Sequence, residues 1–217
     1  SKFINTLKGD EDILIFVFGE YYPGDVRALC ALVKPQWGII TGVNEAHLEK
    51  FKSMEKTAKT IFELAEWLGE YPVYINGESK IARHHARANS VLYGRMGAGA
   101  WKAHNPQTDL TGTSFTLANG DMAITVTSKL LGLHVIGPLA AAADIAFRLG
   151  LSTEEIRKGI NATKPFDHRL EPKTDASADR VDRSILAANR AEVAIAEGPV
   201  RATKGVLAIE RLLRPGE

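Results

Sequence analysis

Residues 13–41 follow a strand–helix–strand pattern, which leaves few folds open. Residues 13–18 are a continuous apolar run rich in β-branched and aromatic side chains, and such a run predicts a strand buried on both faces. The next apolar side chains recur at the spacing of one helical face: Val26, Leu29, Cys30 and Val33. Asp25 can cap the first amides of that helix, and residues 37–41 form a second apolar run. A strand, a helix and a strand at this spacing predict a right-handed crossover and a parallel sheet.

The middle of the chain continues this alternation and then adds an antiparallel part. We expect a helix from Ser53 to Gly69, a strand over residues 73–75, a helix over residues 80–88 and a strand over residues 90–93. Residues 94–112 have no clear period. Strands over residues 113–117 and 122–126 flank Asn119 and Gly120, whose positive φ angles suit a tight hairpin turn.

Helices follow the hairpin. Residues 138–149 form an alanine-rich helical pattern, and Ser152 with Glu155 makes a capping box for the next helix. After a polar stretch near Asp175, the pattern predicts a last helix over residues 200–213. The expected architecture is α/β: a three-layer domain with a mainly parallel sheet and an antiparallel hairpin, followed by the start of a second α/β domain.

Composition excludes several classes of function. The 27 basic and 26 acidic side chains give a formal net charge of +1, so no strong field exists to hold nucleic acid or an anionic membrane. The single cysteine, Cys30, cannot form an internal disulfide and falls on an apolar helix face, as expected of a buried thiol in a reducing, cytoplasmic compartment. No apolar run approaches the roughly 20 residues that span a bilayer. We expect a cytoplasmic monomer that acts on small molecules.

Two motifs lie at the ends of the first two predicted strands. The first is Gly19-Glu20-Tyr21-Tyr22-Pro23-Gly24-Asp25, followed by the helix that ends in Lys34-Pro35. The second is Ile40-Thr41-Gly42-Val43-Asn44-Glu45-Ala46-His47-Leu48-Glu49, followed by a helix that contains Glu63. A third stretch joins His134 and the alanine-rich helix to Lys164-Pro165-Phe166-Asp167-His168-Arg169-Leu170-Glu171.

Taken in this order and spacing, the three stretches resemble the Mur ligases, most closely the branch that adds D-alanyl-D-alanine to UDP-N-acetylmuramoyl tripeptide. The resemblance covers roughly residues 3–190. It implies a central, ATP-binding type domain over residues 1–173 and the beginning of the C-terminal ligase domain over residues 174–217. A folylpolyglutamate synthase relative is a weaker alternative with the same architecture.

The resemblance implies chemistry that uses ATP and Mg²⁺. Mur ligases activate a carboxylate with ATP, form an acyl phosphate and let an amine attack it, so the protein supplies mainly charge and position. The implied roles are His47 and Glu20 as metal ligands, Glu63 and Arg169 as catalytic residues, and Asn5, Thr6, His134 and Asp182 as nucleotide contacts. The implied partners are a UDP-muramoyl peptide and D-Ala-D-Ala.

Each of these residues has a simpler structural alternative. His47 could be an exposed loop histidine, and Glu63 could lie on a solvated helix face. His134 could be a helix-entry residue packed against the sheet, and Arg169 could form a surface ion pair. The pair His84 and His85 suggests a metal site, but adjacent helical side chains point apart, so solvated histidines are the better interpretation.

The chain also departs from the family pattern. It has no glycine-rich loop ending in Gly-Lys-Thr/Ser, so ATP binding is expected to be weakened, and a start downstream of such a loop would explain its absence. Val17 replaces a metal-binding glutamate, and Ile61 replaces the lysine that relatives carbamylate. The Asn that normally follows His134 is missing, and Asp182 alone remains of an Asp-Asp-x-Tyr-Asn segment.

Two functional hypotheses follow. The first is an ATP-dependent amide ligase of peptidoglycan precursor synthesis, present as a partial or degenerate chain. The second is a catalytically inactive, ligase-like binding or regulatory module, which Val17 and Ile61 favour. In either case we expect negligible ligase activity from these 217 residues alone.

Overall fold

The computed structural model describes residues 11–43 and 51–166, and the backbone of residues 206–211. These residues divide into two compact units, with the boundary between Leu92 and Tyr93. The strand over residues 206–211 belongs to the first unit. The expected domain boundary at residue 173, the polar stretch near Asp175 and most of the expected last helix lie outside the described residues.

The first unit is a mixed sheet with helices. Its elements are β1 (Ile13–Phe18), α1 (Asp25–Val33), β2 (Trp37–Ile40), α2 (Met54–Leu68), β3 (Val73–Asn76), α3 (Lys80–His84) and β9 (Val206–Arg211). β2 pairs with β3 in parallel, and β9 lies antiparallel between β1 and β2. Because β1, β2 and β3 run in one direction, their carboxyl ends share one edge of the sheet, and the predicted α/β class with mainly parallel strands is confirmed.

Two predictions about strands are wrong. The predicted helix over residues 200–213 is contradicted by β9, where a short apolar run pairs with strands on both sides; periodicity alone does not separate a short buried strand from a helix. The prediction that β1 is buried on both faces is also wrong. Leu14 and Phe18 are buried, whereas Ile15 and Val17 on the other face are 58% and 72% exposed.

One apolar core holds the first unit together. α1 contributes Val26, Cys30 and Val33 to it, and the predicted apolar face of α2 contributes five further side chains: Ala58, Ile61, Phe62, Ala65 and Leu68. α2 begins and ends where the sequence predicts: Ser53 caps it through a bond from the Lys56 amide, and Gly69 ends it with a φ of 57°. α2 can approach β2 closely because Gly38 has no Cβ; a Cβ there would lie 2.7 Å from carbons of Leu64 and Leu68.

The second unit is antiparallel. The fourth strand, β4 (Ser90–Gly94), leads into it, and the remaining elements are β5 (Gly97–Ala98), β6 (Trp101–Asp109), β7 (Gly112–Asn119), β8 (Met122–Ser128), a 3₁₀ turn (Leu133–Val135), α4 (Ile136–Arg148) and α5 (Thr153–Asn161). The predicted hairpin is confirmed as β7 and β8, with Asn119 opposite Met122. Gly120 alone has the positive φ angle expected of the turn, so the expectation for Asn119 is wrong.

Sequence patterns located the helices of this unit better than its strands. α4 begins at Ile136 rather than at residue 138, and the predicted capping box of α5 is present, with both bonds between Ser152 and Glu155 formed. The region without a clear period contains β5 and β6. β6 carries an irregularity between His104 and Gln107, where Asn105 has a φ of 51°, and this break obscures the alternation of a strand.

The predicted helix over residues 80–88 ends early, at His84. Ser90 accepts a hydrogen bond from the Arg87 amide at 2.9 Å, so residues 85–89 form a connection into β4. Across the parts of the chain that the structure describes, no helix is long and apolar enough to cross a membrane.

Candidate functional site

Glu20 lies directly beyond β1, at the carboxyl edge of the sheet in the first unit. In open α/β sheets this edge is where ligands bind. The residue is only 3% exposed. Because it lies at the edge where such sheets bind ligands, its position is compatible with the role of metal ligand that the resemblance implies.

The loop that contains His47 leaves the same edge of the sheet. Its base, residues 41–43, is described, and His47 itself lies outside the described residues. The Asn76 side chain, at the end of β3, donates to the Thr41 carbonyl oxygen at 3.0 Å. This bond ties the ends of β2 and β3 together and fixes where the loop begins.

The turn between β1 and α1 is held by Asp25. Its Oδ2 accepts from the backbone amides of Tyr21 and Tyr22, both at 2.8 Å, and the Asp25 amide donates to the Tyr22 carbonyl. The prediction that Asp25 caps the first amides of α1 is therefore wrong. The N-cap residue is Gly24, and its φ of 94° places the chain in a conformation that glycine tolerates.

Glu63 of α2 takes the place of that cap. One carboxylate oxygen accepts from the Gly24 amide at 2.8 Å and the other from the Arg27 amide at 2.9 Å. A negative charge at the start of a helix also favours its dipole. The alternative of a merely solvated Glu63 is wrong, because this side chain joins two helices.

Val17 and Ile61, which depart from the family pattern that the resemblance implies, lie in different surroundings. Val17 is 72% exposed on the open face of β1, and Ile61 is 2% exposed inside the core. A charged side chain could be accommodated at the first position but not at the second without loss of packing. Ile61, at the position where the resemblance implies a lysine, therefore packs as an apolar core side chain.

Burial explains the chemistry of Cys30. The thiol is fully buried, and burial, followed by the nearby charge of Glu63, raises its pKa from 9.0 to about 11. The predicted buried thiol is confirmed. At neutral pH it is protonated and acts as a small apolar side chain.

The two adjacent histidines at the end of α3 differ in their exposure to solvent. His84 is exposed. His85 is less so: its ring lies 5.1 Å from that of Phe62, and its Nε2 is 3.6 Å from a carboxylate oxygen of Glu55. The interpretation as two solvated histidines is therefore wrong for His85.

In the described ranges no group of three or more His, Cys, Asp or Glu residues could hold a metal ion, so Glu20 by itself does not complete a magnesium site.

In the second unit, His134 lies exposed in the 3₁₀ turn before α4. Its position in this turn is the helix entry that one of the two readings of the sequence gives it. The ring covers Gly132, since a Cβ on Gly132 would lie 2.7 Å from Nδ1 of His134. Gly132 has a φ of 95°, so both its space and its backbone conformation favour glycine.

Two threonines hold the backbone beneath His134. Thr108 Oγ1 accepts from the Gly132 amide at 2.9 Å, and Thr113 Oγ1 donates to the Gly132 carbonyl at 3.4 Å. The two hydroxyl oxygens are 3.0 Å apart. Sequence reasoning missed both, because their facing positions become visible only once β6 and its register with β7 are known.

Five predicted site residues lie outside the described ranges: Asn5, Thr6, His47, Arg169 and Asp182. Of the other three, Glu20 and Glu63 belong to the first unit: Glu20 lies within the connection between β1 and α1, and Glu63 accepts a bond from Gly24 of that connection. His134 belongs to the second unit.

The chain is similar to proteins of one known family. A family model described as the Mur ligase middle domain matches residues 1–146. The UDP-N-acetylmuramoyl-tripeptide--D-alanyl-D-alanine ligase of Mycobacterium leprae is 28% identical over 195 residues, which cover 82% of this chain and 38% of that protein. The chain spans less than two fifths of the length of the curated relatives it matches.

Solved structures agree at the level of the fold. MurF from Acinetobacter baumannii superposes with a TM-score of 0.62 at 21% identity, covering 73% of this chain and 36% of the other. MurF ligase from Thermotoga maritima, solved in complex with ADP, gives a TM-score of 0.60 at 19% identity, with 73% and 38% covered.

Proposed function

The chain belongs to the Mur ligase family through its middle domain, and we propose that it is the nucleotide-handling part of an ATP-dependent amide ligase of peptidoglycan precursor synthesis. The observation that carries the proposal is the family match over residues 1–146. The M. leprae relative is named for joining D-alanyl-D-alanine to a UDP-N-acetylmuramoyl tripeptide, so we take these as the substrates and the cytoplasm, where such precursors are made, as the compartment.

The proposed reaction has two steps. A substrate carboxylate attacks the terminal phosphorus of ATP, ADP leaves and an acyl phosphate forms. The amine of the second substrate then attacks the acyl carbon, inorganic phosphate leaves and a proton is lost. Because charge spreads over phosphate oxygens in the first step, such a site needs fixed cations and dipoles more than a strong acid or base.

Mg²⁺ is the cation that this chemistry ordinarily uses. Glu20 is the described residue that fits the role of an oxygen ligand, because its carboxylate is buried at the carboxyl edge of the sheet. His47 is proposed from the resemblance. With Val17 in place of an expected carboxylate, we propose that the chain binds Mg·ATP weakly.

The structure gives different kinds of support to the site roles proposed for Glu63 and His134. Both oxygens of Glu63 accept backbone amides, which supports a role in shaping the β1–α1 turn more than direct catalysis. His134 is exposed, and two threonines fix the backbone of Gly132 beneath it, which supports its proposed role as a nucleotide contact. Asn5, Thr6, Arg169 and Asp182 remain proposals from the resemblance.

A second candidate function is a binding or regulatory module that has lost catalysis. The burial of Ile61 favours it, because a lysine that must be carbamylated to act could not be restored inside this core without cost. Reading the coding sequence upstream of Ser1 for a Gly-Lys-Thr/Ser loop separates the two, since a ligase needs that loop and a binding module does not.

Thermal unfolding with and without nucleotide tests the proposal. A ligand that binds only the folded state stabilises it by about 1.4 kcal/mol for each tenfold excess over its dissociation constant. We expect the unfolding midpoint to rise with millimolar Mg·ATP and to rise less when EDTA removes the metal. No rise with either ATP or ADP would contradict nucleotide handling by this domain.

A further inference from the structure

We propose that Tyr21 and Tyr22 form an aromatic contact surface for the peptide end of the carboxylate substrate. The inference rests on the proposed function and names the part of the substrate that this edge of the sheet would recognise. Three observations carry it: the turn is pinned, its two aromatic side chains are exposed, and it lies at the carboxyl edge of the sheet beside Glu20.

The turn is pinned by carboxylates. Asp25 accepts from the amides of Tyr21 and Tyr22 at 2.8 Å, and Glu63 accepts from those of Gly24 and Arg27 at 2.8 and 2.9 Å. Charge-assisted bonds of this kind are stronger than neutral ones. Four such bonds fix the backbone from both ends of the turn, so the two tyrosines start from defined positions.

The two side chains are nonetheless on the surface. Tyr21 is 50% exposed and Tyr22 is 61% exposed, whereas Phe18, three residues earlier, is 2% exposed. Tyrosine offers a large, stiff contact area with two side-chain torsions, so it loses little conformational entropy on binding. Two exposed tyrosines on a fixed backbone therefore suit a recognition surface.

The position of the turn selects the part of the substrate. Glu20, the candidate metal ligand, directly precedes Tyr21 in the chain. The reacting carboxylate has to lie near the metal and the terminal phosphate, and in a UDP-muramoyl tripeptide it is carried by the last amino acid, remote from the uridine. The rings are therefore placed to cover the aliphatic part of that residue.

Calorimetric titration with UDP-N-acetylmuramoyl tripeptide tests the inference. The variants are Tyr21→Ala, Tyr22→Ala and the double replacement, with Tyr21→Phe/Tyr22→Phe retaining both rings. The matched control is Tyr71→Ala, because Tyr71 is 57% exposed but precedes β3, at the opposite edge of the sheet. A second titration uses Mg·ATP, and a third uses UDP-N-acetylmuramic acid, which lacks the peptide.

We expect the double alanine variant to bind the tripeptide substrate at least about tenfold more weakly, a loss of ~1.4 kcal/mol. The double phenylalanine variant and Tyr71→Ala should stay within about twofold of the wild type, a difference below ~0.5 kcal/mol. Affinities for Mg·ATP and for UDP-N-acetylmuramic acid should not change. Circular dichroism melting shows whether each variant is folded.

Several outcomes would overturn the inference. The two tyrosines do not form a contact surface for the peptide if the double alanine variant binds the tripeptide substrate as tightly as the wild type, or if the wild type does not bind it. A loss confined to Mg·ATP assigns the rings to the nucleotide instead. Failure of the proposed function has a different signature, since the wild type would then bind no Mg·ATP in the second titration.

Discussion

At the scale of single residues, Glu63 stands out because its side chain joins two helices that are far apart in the sequence. Its two oxygens accept amides from residues 36 and 39 positions earlier in the chain. A helix start without such a partner leaves amides that must find another acceptor. The motif located Glu63 correctly within α2, but its partners depend on how α2 packs against α1, which a sequence pattern does not contain.

Replacing Glu63 with alanine should destabilise the chain by about 1–2 kcal/mol, the usual cost of a lost helix cap. Urea unfolding followed by circular dichroism measures it. Glu66→Ala is the matched control on the next turn of α2: it removes only an exposed ion pair with Arg27, so its effect should be about 0.5 kcal/mol or less. Equal losses in the two variants would contradict a capping role for Glu63.

Ile61 and Val17 provide a second residue-scale prediction. Restoring the family residue as Ile61→Lys places an uncompensated charge in the core and should cost roughly 3–5 kcal/mol. Restoring it as Val17→Glu changes an exposed side chain and should stay within about 0.5 kcal/mol. Denaturant midpoints of both variants check this, and a well-tolerated lysine at position 61 would show that the packing described for α2 is wrong.

At the scale of elements, the sequence predicted those features of helices and turns that depend only on neighbouring residues. The capping box of α5, the start of α2 after Ser53 and the glycine in the β7–β8 turn were all predicted, because each depends on residues a few positions apart. β6 was missed because its irregularity at Asn105 breaks the period-two pattern. β9 was mistaken for a helix because its strand partners are distant in sequence.

Two glycines of the β7–β8 hairpin give an element-scale prediction. Gly112 begins β7 with a φ of 145°, and a Cβ there would lie 1.9 Å from the Ser128 carbonyl oxygen. Gly112→Ala should therefore cost at least about 2 kcal/mol, because backbone must move. Gly120→Ala at the hairpin turn meets no atom within 4 Å and should cost about 1 kcal/mol, from its positive φ angle.

Chemical unfolding of the two glycine variants measures the difference. A Gly112→Ala variant as stable as Gly120→Ala would contradict the close approach of β7 to the end of β8.

At the scale of the whole molecule, the strand–helix–strand pattern and the order of three motifs were sufficient to predict the α/β class and the family. They also placed Glu20 at the carboxyl edge of the sheet, because strand direction follows from chain order. The exposure of Tyr21 and Tyr22 and the threonines beneath His134 could not be predicted in the same way. Both depend on which surfaces neighbouring elements cover, and that is a property of packing rather than of spacing.

Titration calorimetry with Mg·ATP, on the wild type and on His47→Ala, tests the central claim that this Mur ligase domain gathers magnesium and nucleotide at the sheet edge. We expect weak but measurable binding by the wild type. In the variant we expect the affinity to fall at least about tenfold, equivalent to ~1.4 kcal/mol. Binding that is identical in the two proteins, or absent from the wild type, would contradict it.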